Sequence, residues 1–491
     1  MMASFGVMGL GVMGSSLCMN LAEKTGELVI GYDLDEQKCS LTIERARREE
    51  ITNFAAYTKL EDFVHSLQVP RHVILLVPAG APVEACLQDL GKFLEKGDVI
   101  MDGGNEWYEN TERRANKLAT LGILYIGCGV SGGAQGARHG PALMVGGPQS
   151  AWHDDKKTPT KLNLALHAIA ARAKEDDVPC VVYCGTGGAG NYVKMVHNGI
   201  EYGDMQLIGE IYTILRTLGK FSNIKIAQLF ESWSDSILHS FLIEITAAIL
   251  RKKKNDQTDL IDVVLDKSGS KGTGKWTVQS AADKGIPMPT VAAALDARYL
   301  SARYADRQVL FPQGRGSETS SLQNEDQNKL SQLVFDALLC AKITSYAQGL
   351  ALLAQAKKDH SWTELHLPQV LRCWRGGCII RAKVLPLFAD ALEENPEIFN
   401  LILHPNVSQL IHQRQLAWRQ TLSLAVAHGI PVPALSSSLA YYDTLCTPRL
   451  HSAALVQAQR DCFGGHTYRR TDLSEGMSFS SNWLDPSPEN D

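Results

Sequence analysis

Residues 4–33 read SFGVMGLGVMGSSLCMNLAEKTGELVIGYD, and this stretch decides the fold. SFGVMG is a short apolar strand, and Gly9-Leu10-Gly11-Val12-Met13-Gly14 then fits G-x-G-x-x-G. SSLCMNLAEKT has helical character and stops at Gly26, and ELVIGYD is a second strand ending on Asp33. Strand, glycine turn, helix, strand and terminal acid in that order predict a dinucleotide-binding unit. The glycines permit a tight turn, close backbone approach to a pyrophosphate, and helix–strand contact. The helix N-terminus supplies free N–H groups and positive potential for phosphates. A carboxylate at the position of Asp33 accepts the ribose hydroxyls of NAD and repels the 2′-phosphate of NADP. A solvated turn aspartate is the other reading of that residue.

The rhythm continues downstream. RHVILLVPAGAP (71–82), GDVIMDGGN (97–105) and ILYIGCGVSGGAQGA (123–137) each read as a strand running into a turn, with helical stretches between. This predicts an α/β, Rossmann-like, doubly wound parallel sheet over residues 1–187. Ligands bind at the carboxyl ends of such strands. Candidate cofactor contacts are therefore the glycine turn 9–14, the turn Asp33-Leu34-Asp35, and Val77-Pro78-Ala79. Gly80, Asn105 and the turn Ser131-Gly132-Gly133 point to the same crevice. The last offers successive N–H groups that suit a carboxylate, although such a turn alone is more often only flexible.

After about residue 188 the strand patterns fade. IAQLFESWSDSILHSFLIEITAAIL (226–250) and KITSYAQGLALLAQA (342–356) have helical period. A large all-α domain is predicted over 188–445. A faint echo links IAQLFESW (226–233) to LPQVLRCW (367–374), each after a helix carrying a Tyr (202 and 346), as in a duplicated unit. PQGRGSETSSLQNEDQNKL (312–330) reads as an exposed loop, and RKKKN (251–255) as a solvated helix end. Residues 446–491 hold too little apolar material for a core, and read as an extended tail that frays or docks on something larger.

At 491 residues the chain is too long for one ordinary core. With 45% hydrophobic and 21% charged residues it has the composition of a folded soluble protein, and a net charge of −5 excludes a general nucleic-acid footprint. No apolar run suggests a membrane span, and no basic leader precedes the first strand. The 11 cysteines are an odd, scattered set. Cys180/Cys184 and Cys373/Cys378 are the close pairs, without zinc spacing, so free thiols, a reducing cytoplasm and no structural metal are expected.

KMVHNGIEYGD (194–204) raises the chemical question. On a helix, Lys194, His197, Asn198, Glu201 and Tyr202 fall on one stripe, while Val193, Val196 and Ile200 lie off it. The stripe is either an ordinary solvent face or a site that moves protons, and its spacing alone does not choose.

GLGVMG (9–14), DGGN (102–105), VSGGAQGARHGPALMVGG (130–147), KMVHNGIEYGDMQLI (194–208), SKGTGKWT (270–277), YAQG (346–349), WRGGCIIR (374–381) and QAQRDCFGGHTY (457–468) together resemble the decarboxylating 6-phosphogluconate dehydrogenases, in that family's order. The wider β-hydroxyacid dehydrogenases share only the shorter parts. The resemblance implies oxidation of 6-phosphogluconate at C3, loss of CO2 to an enediol, and conversion to ribulose 5-phosphate. It implies Lys194 as the base, neutral at the start through burial beside other cations, then donor to the ketone oxygen. It implies Glu201, protonated at the start, as the acid that delivers a proton to C1. Asn198 and His197 would bind substrate hydroxyls, Asn105 would bridge substrate and nicotinamide, and Ser131-Gly132-Gly133 would hold the carboxylate. Tyr202, Lys271, Thr273 and Arg298 would hold the phosphate, joined by Arg460 and His466 from a neighbouring subunit's tail in a homodimer.

Two departures concern the cofactor. The family usually has Asn-Arg-Ser/Thr after the second strand, and the Arg grips the NADP 2′-phosphate; here the residues are Asp33-Leu34-Asp35. The family often has a Lys where Pro78 stands. By resemblance the cofactor is NADP; by these residues NAD is used at least as well. Gly11, often Ala in the family, is compatible with either. The competing readings are a β-hydroxyacid dehydrogenase for another acid, which would lack the phosphate set, and a non-catalytic nucleotide-binding regulator, in which Lys194 or Glu201 would be lost.

Overall fold

The computed structural model describes residues 2–155, 157–314, 324–473, 476–485 and 487. Among the described residues one large sheet is built from β1 (Phe5–Met8), β2 (Val29–Tyr32), β3 (Phe54–Tyr57), β4 (His72–Leu75), β5 (Val99–Asp102), β6 (Leu124–Val130), β7 (Leu143–Gly146) and β8 (Val181–Gly185). Its order is β3-β2-β1-β4-β5-β6-β7-β8. The intervening helices are α1 (Val12–Thr25), α2 (Glu36–Arg48), α3 (Leu60–His65), α4 (Ala81–Leu90), α5 (Tyr108–Ala119), α6 (Gly133–His139) and α7 (Lys161–Ile169). β1, β2, β4 and β5 are buried along their length, as strands covered on both faces must be. Two apolar layers result, one around Leu17, Ile74 and Ile126 and the other around Phe63, Leu75 and Ile100.

The sheet is not parallel throughout. β6 pairs with β7 antiparallel, and β8 follows β7 in the reversed direction. Only a short helix separates β6 from β7, and a dozen residues with one short helix return the chain beside β6 without a full crossover. β3, β7 and β8 add to the strands legible in the sequence. α1 ends as its residues require, at Gly26 in the left-handed region (φ 68°).

From α8 (Ala189–Thr217) the chain is mainly helical: α9 (Asn223–Ser232), α10 (Phe241–Arg251), α11 (Thr273–Asp283), α12 (Pro289–Ser301), α13 (Tyr304–Gly314), α14 (Asn324–Asp359), α15 (Leu367–Cys373), α16 (Leu385–Glu394), α17 (Pro405–Ala427) and α18 (Pro433–Cys446). The run 226–250 is two helices, because Ser240 caps a fresh start by accepting from the Ile243 N–H. The polar stretch 312–330 is helical at both ends, in α13 and α14; its middle, 315–323, lies outside the described residues. Contrary to the expectation that no segment suggests a membrane span, Gln327–Asp359 within α14 is long and apolar enough to cross a membrane by length and composition. However, 94% of its most apolar window is buried, so it serves as a core helix. It packs on α8 and α17, and Lys342 on it makes a buried ion pair with Asp204 of α8.

The echo between the two helical runs has a structural counterpart. Each long helix, α8 and α14, is followed by a short one, α9 or α15, closed by Trp233 or Trp374. A two-way backbone exchange joins the segments beyond them, Phe241 N–H to the Arg381 carbonyl and Lys383 N–H to the His239 carbonyl.

The chain forms two compact units, divided between Ser438 and Leu439. The second contains α19 (His451–Gly464) and a returning segment. There Asp461 Oδ2 accepts from the Ser481 N–H (2.9 Å) and the Trp483 indole N–H (2.8 Å), and Tyr468 pairs with Phe479.

Candidate active site

α8 lies directly on the sheet because β6 carries glycine where they meet. A Cβ on Gly127 would stand 2.0 Å from Asn191 Oδ1, and one on Gly129 would stand 2.4 Å from Lys194 Cβ. This approach seats the polar stripe over the end of β6, where Ser131 follows. Val193, Val196 and Ile200 fill the core, as their positions predict. Yet the stripe is not a solvent face: Lys194 is 6% exposed, and His197, Asn198 and Tyr202 are also buried.

A hydrogen-bonded chain runs through it. Lys194 Nζ donates to Ser131 Oγ at 3.0 Å, and Ser131 Oγ lies 3.4 Å from His197 Nε2. His197 Nδ1 is 3.0 Å from Asn198 Oδ1 and 3.9 Å from Glu201 Oε2. Burial holds the Lys194 ammonium below the ordinary lysine range, against the opposing pull of Glu201 and Cys378. The expectation that neighbouring cations contribute to this shift is not met: the charged groups that act on Lys194 push the other way. Glu201 is raised by burial, partly offset by Lys194 and Arg298 and reinforced by Asp204. Burial and then Lys194 push His197 well below its usual range, so the imidazole is neutral.

One turn before Lys194, Asn191 ties the helix to the neighbouring turn. Its Nδ2 donates to the Gly104 carbonyl (3.3 Å) and its Oδ1 accepts from Thr111 (3.0 Å). Asn105, next to Gly104, is exposed. The buried Glu106 accepts from the Gly80 N–H (2.9 Å) and from Arg114 (2.6 Å), locking the turn after β4 to the turn after β5. Sequence reading missed Asn191 and Glu106. Asn191 extends the stripe by i−3 and was legible from spacing; Glu106 carried no signal. Gly132 sits against the Gly377 carbonyl, 2.5 Å from where a Cβ would be, so the SGG turn is braced by WRGG of the helical part.

A second cluster lies beyond Glu201. The Arg298 guanidinium stacks on the Tyr202 ring at 3.6 Å and donates to the Gly269 carbonyl at 2.9 Å. Tyr202 and Ser270 hydroxyls are 3.2 Å apart. Lys271 is exposed beside Thr273, which opens α11 after Gly272 in the left-handed region (φ 94°). Among the described residues no side chain caps that helix start, so its N–H groups remain available to an anion. Arg460 and His466 belong to the second compact unit and are exposed; Arg460 donates to Gln457 at 3.1 Å.

The residues at the glycine turn fit a dinucleotide. Gly9 has φ 93°, and a Cβ on Gly14 would overlap the Gly9 carbonyl oxygen, so both must be glycine to close the turn. A Cβ on Gly11 would meet nothing within 4 Å, which leaves open room over the start of α1, itself without a side-chain cap among the described residues. Leu10, Val12 and Met13 supply backbone around that opening. Asp33 is held by the turn: Oδ2 accepts from the Leu10 N–H (2.8 Å) and Oδ1 from the Asp35 N–H (3.0 Å), with Lys38 Nζ at 3.5 Å. Asp35 caps α2. Leu34 is 85% exposed, and Val77, Pro78 and Ala79 line the neighbouring turn after β4. All 11 cysteines are free thiols.

Comparison with known proteins agrees with this layout. Residues 4–184 match the NAD binding domain of 6-phosphogluconate dehydrogenase, and residues 190–483 match its C-terminal domain. The chain is 46% identical to 6-phosphogluconate dehydrogenase, decarboxylating 1, of Spinacia oleracea, over 98% of this chain and 97% of that one. It is 47% identical to 6-phosphogluconate dehydrogenase, decarboxylating 2, of Arabidopsis thaliana, with the same coverage. The solved Plasmodium falciparum 6-phosphogluconate dehydrogenase, described in apo form, with its cofactor NADP+ and with its substrate 6-phosphogluconate, superimposes with a TM-score of 0.90 at 41% identity, covering 98% of this chain and 100% of that one. The chain belongs to the 6-phosphogluconate dehydrogenase family.

Proposed function

We propose that this chain catalyses the oxidative decarboxylation of 6-phosphogluconate to ribulose 5-phosphate and CO2, coupled to reduction of NAD or NADP. The observation that carries the reading is the buried stripe itself, with an amine and a carboxyl whose charged forms burial disfavours. A dinucleotide held at residues 9–14, Asp33 and 77–79 supplies the acceptor for the C3 hydride. Neutral Lys194 takes the 3-hydroxyl proton. The resulting ammonium then donates to the ketone oxygen, so that the electrons of the breaking C–C bond have a sink as CO2 leaves. Glu201, two helical turns or about 10.5 Å further along α8, protonates C1 of the enediol. Ser131 and the N–H groups after it receive the substrate carboxylate. The open start of α11, Lys271, Thr273, Arg298 and Tyr202 suit the phosphate, a set that a dehydrogenase for an unphosphorylated acid would not need.

Asp33, the exposed Leu34 and Pro78 put no guanidinium or ammonium where a 2′-phosphate would lie, apart from Lys38, which pairs with Asp33. This supports use of NAD at least as well as NADP. The second unit exposes Leu455, Val456 and Phe463 on α19 together with Arg460. That supports a homodimer in which the tail supplies Arg460 and His466 to its partner's phosphate site, and the free thiols support a cytoplasmic setting. The test is direct: incubate the protein with 6-phosphogluconate and either nucleotide, and follow reduced cofactor and CO2. Reduced cofactor without CO2, or neither, would overturn the reading.

A further inference from the structure

Two turns at the carboxyl end of the sheet carry no hydrogen-bonding side chain of their own: Val77-Pro78-Ala79-Gly80 after β4 and Gly103-Gly104 after β5. In the sheet, β4 and β5 lie between β1 and β6. On the reading above, the adenosine ribose falls at Asp33 on the β2 side, while Lys194 reaches Ser131 beyond β6. A nicotinamide that receives hydride beside Lys194 therefore has to lie over the ends of β4 and β5. The backbone there is fixed by one buried pair. Glu106 is 3% exposed. Its Oε2 accepts from the Gly80 N–H (2.9 Å) and Arg114 Nη1 (2.6 Å), and its Oε1 accepts from the Trp107 N–H (2.8 Å) and Asn110 Nδ2 (3.0 Å). Burial pushes its carboxyl up, but these donors outweigh burial and hold it below the usual glutamate range. Arg114 also donates from Nη2 to the Gly80 carbonyl (3.3 Å) and from Nε to Glu84 (2.9 Å). Gly80 is thus gripped at both its N–H and its carbonyl, in a left-hand conformation (φ 85°) that glycine tolerates. Arg114 Nη1 lies 3.5 Å from Asp102 Oδ2, and Asp102 Oδ1 accepts from the Gly104 N–H (2.9 Å). Asn105 stands between two anchored residues, Gly104 and Glu106.

We propose that Glu106 is a positioning residue for hydride transfer: with Arg114 it sets the spacing of the turns after β4 and β5, so that the nicotinamide half of the dinucleotide and Asn105 meet the substrate in one register. This rests on the reading of the chain as a nucleotide-dependent dehydrogenase. Among the described residues neither Glu106 nor Arg114 bonds to the glycine turn 9–14 or to Asp33. The effect of the pair is therefore confined to the nicotinamide half, and the adenosine half is held independently of it.

The test uses the full-length protein with Glu106→Ala and Glu106→Gln. Two quantities are compared: single-turnover hydride transfer from 6-phosphogluconate at saturating NAD or NADP, and calorimetric binding of the adenosine half alone, as ADP or adenosine 2′,5′-bisphosphate to match the nucleotide used. Glu106→Ala removes both acceptor oxygens and frees both turns. It should slow hydride transfer about 100-fold, the cost of a misplacement near 1 Å. Glu106→Gln keeps the shape but has one carbonyl oxygen for two sets of donors, so either orientation loosens one of the two turns. It should slow hydride transfer about 10-fold, the weight of one buried hydrogen bond, and it carries the test alone if the Ala variant does not fold. Both variants should bind the adenosine half within about 2-fold of the parent. A Gln variant at the parental rate would overturn the proposal. So would a loss of adenosine-half affinity as large as the loss of rate, which marks general loosening of the fold. If the parent itself transfers no hydride from 6-phosphogluconate to either nucleotide, the dehydrogenase reading fails; if the parent is active and the variants behave in either of those two ways, only the positioning role fails.

Discussion

Lys194→Met is the sharpest perturbation of this site, because the replacement keeps length and removes only the amine. The lost functions are two. A positioned base contributes ~10²–10⁴ to the rate, and a donor on the developing oxyanion contributes ~10²–10³. One group serves both in sequence, so the losses do not multiply in full, and a fall of about 10⁴ in hydride transfer is expected. Binding should survive. On the proposed reading Lys194 would give the substrate one ordinary hydrogen bond, about 1 kcal/mol, so Kd should rise by no more than ~10-fold. Stability has a determined sign. The folded protein holds the Lys194 pKa below its unfolded value, so between those two values the unfolded chain binds more protons at this group, and the residue costs stability that returns only as pH rises through that window. The Met variant should therefore melt at or above the parent's temperature. Rapid-mixing absorbance of reduced cofactor, calorimetric titration of 6-phosphogluconate and thermal unfolding give the three readings. Turnover within ~10-fold of the parent would refute the base assignment, and a clearly lowered melting temperature would refute the burial argument.

Glu201→Gln should slow ketose formation by ~10²–10⁴. It should also move the acid limb of hydride transfer to lower pH, since Glu201 raises Lys194; an upward move in a pH–rate series would contradict the pairing. Leu34→Arg should raise the NADP-to-NAD ratio of kcat/KM by ~10–100-fold, the weight of one charge-assisted hydrogen bond, and no change would place the adenosine ribose elsewhere. Gly129→Ala puts a methyl 2.4 Å from Lys194 Cβ, and should cost ~1–3 kcal/mol in denaturant unfolding together with a lower kcat as α8 is lifted from β6. Truncation after residue 445 should abolish activity and dimer formation by light scattering; an active monomer would refute the shared site.

What could be read in advance was periodicity. The glycine turn, α1 with its Gly26 stop, and the phase of Lys194, Asn198 and Glu201 on α8 all follow from local spacing. The burial of that stripe does not. It depends on Gly127 and Gly129 lying opposite Asn191 and Lys194, a pairing between segments some 65 residues apart in number that no local window contains. Strand direction was equally invisible: LMVG has the same apolar pattern in either sense, and β7 runs backward because of a short connection, not a residue type. The polar ends of α13 and α14 looked like a loop because polar helix turns and loops share a composition. Glu106 is silent in sequence, since its value lies in joining the Gly80 N–H to Arg114.

The reactive state of this site differs from its resting alternative by the position of one proton. Neutral Lys194 with protonated Glu201 holds as many protons as the ammonium–carboxylate pair, so pH does not choose between them; the medium does. In water the gap between ordinary lysine and glutamate values is about 6 pKa units, or about 8 kcal/mol in favour of the charged pair. Placing both groups on one largely buried helical face, two turns or about 10.5 Å of axial rise apart, penalises two charges at once, and the spacing limits the attraction that would repay it. The Lys194 shift comes with the descent of α8 onto the glycines of β6, and the Glu201 shift with burial two helical turns further on. That is why a position with no side chain of its own, Gly129, belongs to the catalytic argument.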